Sequence, residues 1–333
     1  MLENNTLSEL KDKKNLLAFS AGVDSTALFF LLLKHNINFD IATVNYSVRE
    51  QSQDEVAYAK ELATTYNLTY HLFNSQKIDK NFESRAREIR YNFFEDLIKE
   101  NKYDNLLTAH HLGDRFEWML MQFCKGSGCV ELAGMKSIEP REEYKLIRPL
   151  LHVDKSELLE YLNSNNIKYF EDATNLDESI KRNSFRHKHS NPLLKEYLDG
   201  IKKSFKYIDE DRDILIQDIK INSINNFAYF NKSNNARSNI YAIDKYLKSQ
   251  IYMLTSSERE LLKTVETVVV GRKFVVNQNT DFVFIAPFAC KNENMTKEFK
   301  EQMRVLKIEP KLRPYFYENK EAFEKIKDLL GTV

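Results

Sequence analysis

Six consecutive residues, Ser20-Ala21-Gly22-Val23-Asp24-Ser25, place two hydroxyls, a glycine and a carboxylate between an apolar run (16–19) and a helix-forming run (26–33). A strand turning tightly into a helix is expected there. The first turn of a helix leaves backbone N–H groups unpaired at the positive end of its dipole, which suits a phosphate. Gly22 is expected to let the backbone approach such a ligand, with Ser20 and Ser25 adding hydroxyls. Asp24 is the odd member, because a carboxylate repels a phosphate unless Mg²⁺ or a cationic substrate group lies nearby. A plain strand-to-helix turn with an Asp N-cap would use the same residues. The chain has no G-x-x-x-x-G-K-[ST] and no G-x-G-x-x-G, which weighs against a γ-phosphate hydrolase or kinase and against a dinucleotide fold.

A second acidic element lies in Thr108-Ala109-His110-His111-Leu112-Gly113-Asp114-Arg115-Phe116-Glu117. Asp114 and Glu117, three residues apart, share one helix face and can hold a single ammonium or Mg²⁺ between them; a solvated acidic face is the plainer reading. His110 and His111 are adjacent and do not readily face one ligand, and no third His or Cys at a familiar spacing supports them as metal ligands. In Glu83-Ser84-Arg85-Ala86-Arg87-Glu88-Ile89-Arg90-Tyr91, an apolar stripe (Ala86, Ile89, Phe93, Leu97) leaves Arg87, Arg90 and Tyr91 alongside it. The planar fork of an arginine suits a phosphate or a polarised carbonyl, whereas an ion-pair lattice with Glu83 and Glu88 would employ the same side chains. Residues 181–206 hold eight Lys and Arg against two acids, a local basic patch in a chain whose 49 basic and 49 acidic residues balance. Such a patch suits RNA phosphates or simply water.

The elements that must position these residues follow from periodicity. Strand-like runs at 16–19, 39–44, 69–73 and 105–108 alternate with helix-like runs at 24–35, 52–67, 82–100 and 112–125. This predicts an α/β fold, a Rossmann-like parallel sheet with flanking helices, whose ligands collect beyond the strands' carboxyl ends near Ser20, Asn45 and His110. Asp154 with Glu157 forms a capping box for a short helix through Leu162, and Asn191-Pro192 reads as another helix start. The end of that helix divides an expected domain 1–205 from a smaller helical and mixed domain, 206–333. There 268–270, 274–276 and 282–284 read as short strands around Gly271 and Asn279-Thr280. A length of 333 residues suffices for two domains, and 42% hydrophobic with 29% charged residues argues against extensive disorder. Cys124, Cys129 and Cys290 form no C-x-x-C, so no disulfide framework, zinc or iron–sulfur site is indicated and a cytoplasmic setting is expected. The longest apolar run, 27–33, is too short to span a bilayer.

Taken in order, these segments resemble the PP-loop ATP pyrophosphatases, and within them the tRNA(Ile)-lysidine synthases. Residues 20–25 are similar to the family's S-G-G-x-D-S loop, Val44-Asn45-Tyr46-Ser47-Val48-Arg49 to V-x-H-x-L-R, 83–91 to E-x-x-A-R-x-x-R-Y and 108–117 to T-A-H-H-x-x-D-x-x-E. Gly126-Ser127-Gly128, Arg148-Pro149-Leu150-Leu151, Glu171-Asp172-x-x-Asn175 and Arg182-Asn183-x-x-Arg186 extend the series over 16–186. An ordered series is far more specific than any one of its members. Three positions depart from the pattern: Ala21 replaces a Gly, Asn45-Tyr46 replaces a His pair, and Gly113 leaves one acid of the common H-x-x-D-D-Q form.

The resemblance implies an enzyme that uses ATP to adenylate the C2 carbonyl oxygen of the wobble cytidine in a tRNA(Ile) with a CAU anticodon. The ε-amine of L-lysine then displaces AMP to give lysidine. On this resemblance Ser20, Ala21, Gly22, Val23, Asp24 and Ser25 bind ATP, Asp24 holds Mg²⁺, and Asp24, Arg87, Asp114 and Glu117 form the catalytic set. Asp114 and Glu117 orient the lysine, one carboxylate helps remove its proton, and Arg182 and Arg186 contact tRNA or phosphate. A grip on the tRNA by residues 206–333 is a further expectation, and a homodimer is compatible with it. Two other functions use parts of the pattern: a PP-loop tRNA thiolase, which would need a cysteine pair or an iron–sulfur cluster, and a non-catalytic RNA-binding module with a decayed nucleotide loop.

Overall fold

The computed structural model describes residues 1–46, 51–78, 81–171, 177–216, 218–289 and 295–331. Two compact units follow one another, Met1–Asp209 and Glu210–Val333. Ser47, Val48 and Arg49, and Asp172 and Asn175, lie outside the described residues.

In chain order the first unit contains α1 (Asn4–Leu10), β1 (Asn15–Ala18), α2 (Val23–Lys34), β2 (Phe39–Asn45), α3 (Gln51–Thr65), β3 (Tyr70–Asn74), α4 (Phe82–Asn101), β4 (Asn105–Leu107) and α5 (Leu112–Phe123). It continues with α6 (Cys129–Ala133), β5 (Ile138–Pro140), β6 (Lys145–Ile147), α7 (Lys155–Ser164), α8 (Lys181–Phe185) and α9 (Asn191–Leu215), which runs past the end of the unit. Its six-stranded sheet has the order β3-β2-β1-β4-β6-β5, parallel except for the β5 edge. The α/β expectation is met. β5 and β6 were not expected, because strands of three residues carry no usable alternation.

The inner strands are apolar on both faces, as a sheet covered by helices on each side requires. Leu17, Ile41, Leu107 and Ile147 pack with Ala27, Leu28 and Leu31 of α2 and Leu158 and Leu162 of α7. On the opposite face Leu16, Ala42, Leu106 and Leu146 meet Phe94, Leu97 and Ile98 of α4. A smaller cluster, Leu112, Phe116, Leu194 and Phe205, joins α5 to α9.

The capping box of Asp154 and Glu157 forms as expected. Asn191 does not cap a new helix: its backbone is right-handed helical, and a π-helical turn, Arg186–Ser190, carries α8 directly into α9. Pro192 has no N–H to donate and its ring crowds the carbonyl four residues back, which accounts for a widened turn in place of a break.

The second unit contains β7 (Asn222–Ile224), β8 (Phe227–Asn231), α10 (Ala236–Ser249), α11 (Ser256–Thr264), β9 (Thr267–Val270), β10 (Phe274–Gln278), β11 (Phe282–Pro287), α12 (Lys297–Val305), α13 (Arg313–Glu318) and α14 (Lys320–Gly331). The strands form one antiparallel sheet, β7-β8-β11-β10-β9. Alternate residues face two cores. Val276, Val283 and Ile285 pack with Ile243, Leu247 and Leu262, whereas Val275, Phe284 and Ala286 pack with Met303, Phe316 and Phe323. The tight β9–β10 turn needs Gly271, whose φ is +57° and where a Cβ would stand 2.2 Å from the Tyr252 ring.

Candidate active site

Between β1 and α2 the chain turns within four residues, and Ser25 holds the turn together. Its hydroxyl accepts from the Ser20 N–H at 3.2 Å, donates to the Gly22 carbonyl at 3.3 Å and lies 3.1 Å from the Ser20 hydroxyl. No side chain caps α2, so its first N–H groups face the turn without an intrahelical partner. The special backbone falls one residue earlier than expected. Gly22 has an ordinary φ of −75°, and a Cβ there would meet its nearest neighbour at 3.5 Å. Ala21 instead adopts φ +58° and is buried, with its carbonyl accepting from the Phe170 N–H at 3.0 Å. A left-handed L-residue costs about 1–2 kcal/mol, and a methyl is the smallest side chain that can accept it.

Asp24 follows on the first turn of α2. Its Oδ1 is buried without a hydrogen-bond partner, while Oδ2 lies 3.8 Å from His111 Nε2. His111 is the N-cap of α5. Its Nδ1 accepts from the Gly113 N–H at 3.0 Å, and its own N–H donates to Asp114 Oδ2 at 3.1 Å, closing a capping box. An accepting Nδ1 puts the proton of the neutral ring on Nε2, which faces Asp24 and, at 3.7 Å, Asp114. Gly113 is therefore needed where it stands: a Cβ there would sit 2.6 Å from His111 Cε1. In the sequence His111 invites only the metal-ligand reading, although His followed by Asp three residues on before a helix is a capping-box spacing.

Glu117 is 1% exposed and accepts from the Nε of both Arg182 and Arg186, the latter at 2.7 Å. The Nη2 atoms of both arginines lie 3.6 Å from Asp114 Oδ1. The acidic pair and the two arginines, expected to serve different ligands, thus meet in one cluster, and guanidinium groups occupy the place a cation would take. Burial by itself would raise the Asp114 carboxyl, but the imidazoles of His111 and His110, the His111 N–H and Arg182 outweigh it and hold it at about 2. Burial pushes the His110 imidazole down to about 4, against the pull of Asp114 and with help from the charges of Arg148, Arg87 and Arg90. His110 bonds to the Thr108 hydroxyl at 3.0 Å, so the two histidines do diverge.

Arg87 is exposed and stacks on Tyr91 at 4.7 Å. The lattice with Glu83 and Glu88 is not found: among the described residues neither Arg87 nor Arg90 makes an ion pair. Asn45 is buried and donates to Asn74 at 3.1 Å, and Tyr46 reaches across to the Ala86 carbonyl at 2.8 Å. Arg115 points away from the cluster. It is fully buried, paired bidentately with Asp209 at 2.6 and 2.8 Å, bonded to the Ala133 carbonyl and stacked on Phe205. Among the described residues, four of the eight basic residues of 181–206 are paired within the fold, Lys188 with Glu178 and Lys202 with Glu157 alongside the two arginines.

Among the described residues no three His, Cys, Asp or Glu side chains cluster to hold a metal, and no helix is long and apolar enough to cross a membrane. Cys124 and Cys129 are free thiols at the end of α5 and the start of α6.

The PP-loop domain family matches residues 2–193. A tRNA(Ile)-lysidine synthase of Wolinella succinogenes is 44% identical over 92% of this chain and 94% of its own length, and that of Helicobacter pylori is 40% identical over 93% and 91%. The Campylobacter jejuni tRNA(Ile)-lysidine synthase is 37% identical over 96% and 97%. Among solved structures, the U34-tRNA thiolase NcsA of Methanococcus maripaludis with its [4Fe-4S] cluster superposes with a TM-score of 0.51 at 20% identity, covering 62% of this chain and 77% of its own. At that identity the likeness is one of fold.

Proposed function

Since the chain belongs to the tRNA(Ile)-lysidine synthases, ligases built on an ATP-using PP-loop domain, we propose that it joins L-lysine to C2 of the wobble cytidine of a tRNA(Ile) with a CAU anticodon. The observation that carries this reading is the single imidazole, His111, between Asp24 of the phosphate turn and Asp114 of the acidic cluster. A nucleotide held at the turn and a cation held by the cluster would then be neighbours, as a reaction between an ATP-activated base and an amine demands.

The unpaired N–H groups at the start of α2 bind phosphates of ATP. The C2 oxygen of the cytidine attacks the α-phosphate and pyrophosphate leaves; the ε-amine then forms the C2–N bond and AMP leaves. The buried, unpartnered Oδ1 of Asp24 fits Mg²⁺, with phosphate oxygens and water completing its shell. That ion would neutralise phosphate charge. Arg87, exposed, stacked on Tyr91 and without an ion pair among the described residues, would supply its guanidinium to the displaced phosphates. Glu117 and Asp114 receive the lysine ammonium in exchange for one or both guanidinium groups, which are thereby freed for phosphate or tRNA. Asp114, ionised down to pH about 2, is a strong anchor and a weak base. Asp24, across the His111 ring from Asp114, is a second candidate for receiving the lysine proton.

The test is ATP-dependent transfer of labelled lysine to tRNA(Ile) transcript with release of AMP and pyrophosphate. Absence of both transfer and lysine-dependent pyrophosphate release with any tRNA would overturn the reading.

A further inference from the structure

The chain has one tryptophan, and it is not in a core: Trp118 is 46% exposed. It follows Glu117 directly and stands one helical turn beyond Asp114, so the α-helical repeat sets it beside the acidic cluster. The ring is nevertheless fixed. Its Nε1 donates to the Glu131 carbonyl at 3.1 Å, and Cδ1 lies so close over Gly134 that a Cβ there would be 2.8 Å away. Gly134, at φ +66°, is the residue that lets the backbone beyond α6 lie under the indole. One edge is pinned and nearly half of the side chain stays open. Leaving the largest apolar side chain in water forgoes the burial that usually fixes its place. Lys125, in the turn that ends α5, is exposed and makes no ion pair among the described residues.

We propose that Trp118 is a stacking platform for an unpaired nucleobase of the RNA substrate, next to the cytidine that reacts. This rests on the function proposed above. A target base in an anticodon loop must be splayed from its neighbours before its C2 can be reached, and proteins hold splayed loop bases by stacking them on aromatic rings. A pinned indole beside the site receiving the amine offers such a face at little entropic cost. Lys125 supplies a cation for the adjoining phosphate.

The single tryptophan makes the test direct. The full chain is titrated with an anticodon stem-loop RNA carrying the CAU loop; binding is followed by anisotropy of a label on the RNA and stacking by indole fluorescence. Quenching that saturates together with the anisotropy is expected. Trp118→Phe should bind within about threefold of the unsubstituted chain, and Trp118→Ala about 10- to 100-fold more weakly, with the KM values for ATP and lysine unmoved. RNA binding that leaves the wild-type indole fluorescence unchanged would overturn the platform while leaving lysidine formation standing, a result that needs no variant to fold. Loss of ATP and lysine KM in Trp118→Ala along with RNA affinity would also overturn it, as a general structural effect. No binding of the stem-loop and no lysine transfer to tRNA would remove both proposals.

Discussion

Replacing Glu117 by Gln changes one atom of a buried carboxylate that accepts from two guanidinium groups. The amide keeps the shape and one accepting oxygen, but its NH₂ faces an arginine donor. Removing one partner from a fully buried charge pair costs about 3–5 kcal/mol. Here Arg182 is 48% and Arg186 27% exposed, so water resolvates what is released and the expected loss falls to about 2 kcal/mol. For a unit of this size that is a fall in Tm of about 5 °C. The effect on the substrate is separate. An ammonium about 4 Å from a carboxylate gains ~4 kcal/mol at an effective dielectric near 20, of which desolvation removes roughly half. The KM for lysine should therefore rise about 30-fold in Glu117→Gln, while that for ATP moves less than about threefold. Thermal melts and steady-state lysine transfer measure both. An unchanged lysine KM in a variant that has lost the expected stability would refute the assignment of the cluster to the amino acid, leaving Glu117 as an anchor for α8 and the turn after it.

Three more outcomes follow from particular geometries. Ala21→Gly should stay within about 1 kcal/mol of the parent, because relief of the left-handed backbone offsets a lost buried methyl and a more flexible unfolded chain; Ala21→Val, β-branched at φ +58°, should lose about 3 kcal/mol in urea unfolding and weaken ATP binding. Arg115→Leu, which removes the bidentate guanidinium from Asp209, should destabilise by about 3 kcal/mol without selectively raising either KM, and Arg115→Leu/Asp209→Leu should recover part of that loss. His110 titrates near 6.5 when unfolded and about 4 when folded, so the unfolded chain binds more protons between those values. Its contribution is full above pH 6.5 and lost as pH falls to 4, up to ~3 kcal/mol, and His110→Gln should flatten the urea midpoint across that window. The Asp114 contribution is lost lower, as pH falls from 3.8 through about 2, so the two separate on the pH axis.

The α/β class is legible in the amino-acid order, because strands covered on both faces read as unbroken apolar runs and the helices between them carry their own period. The family is legible there too, since an ordered set of short motifs is hard to produce by chance. The sequence likewise marked the turn at 20–25 and the acidic pair at 114 and 117, where chemistry and helical spacing coincide within a few residues. What it could not carry was anything depending on two distant segments at once. Arg182 and Arg186 read as a phosphate patch because their partner, Glu117, lies some 65 residues away. Arg115 carried no reading of its own because its partner, Asp209, is further still. Only the tertiary structure put the left-handed strain on Ala21, gave Gly113 a task under the His111 ring and set that imidazole between two carboxylates. Spacing along the chain reports local geometry, whereas the pairing of a buried charge is decided by whatever the fold brings alongside it.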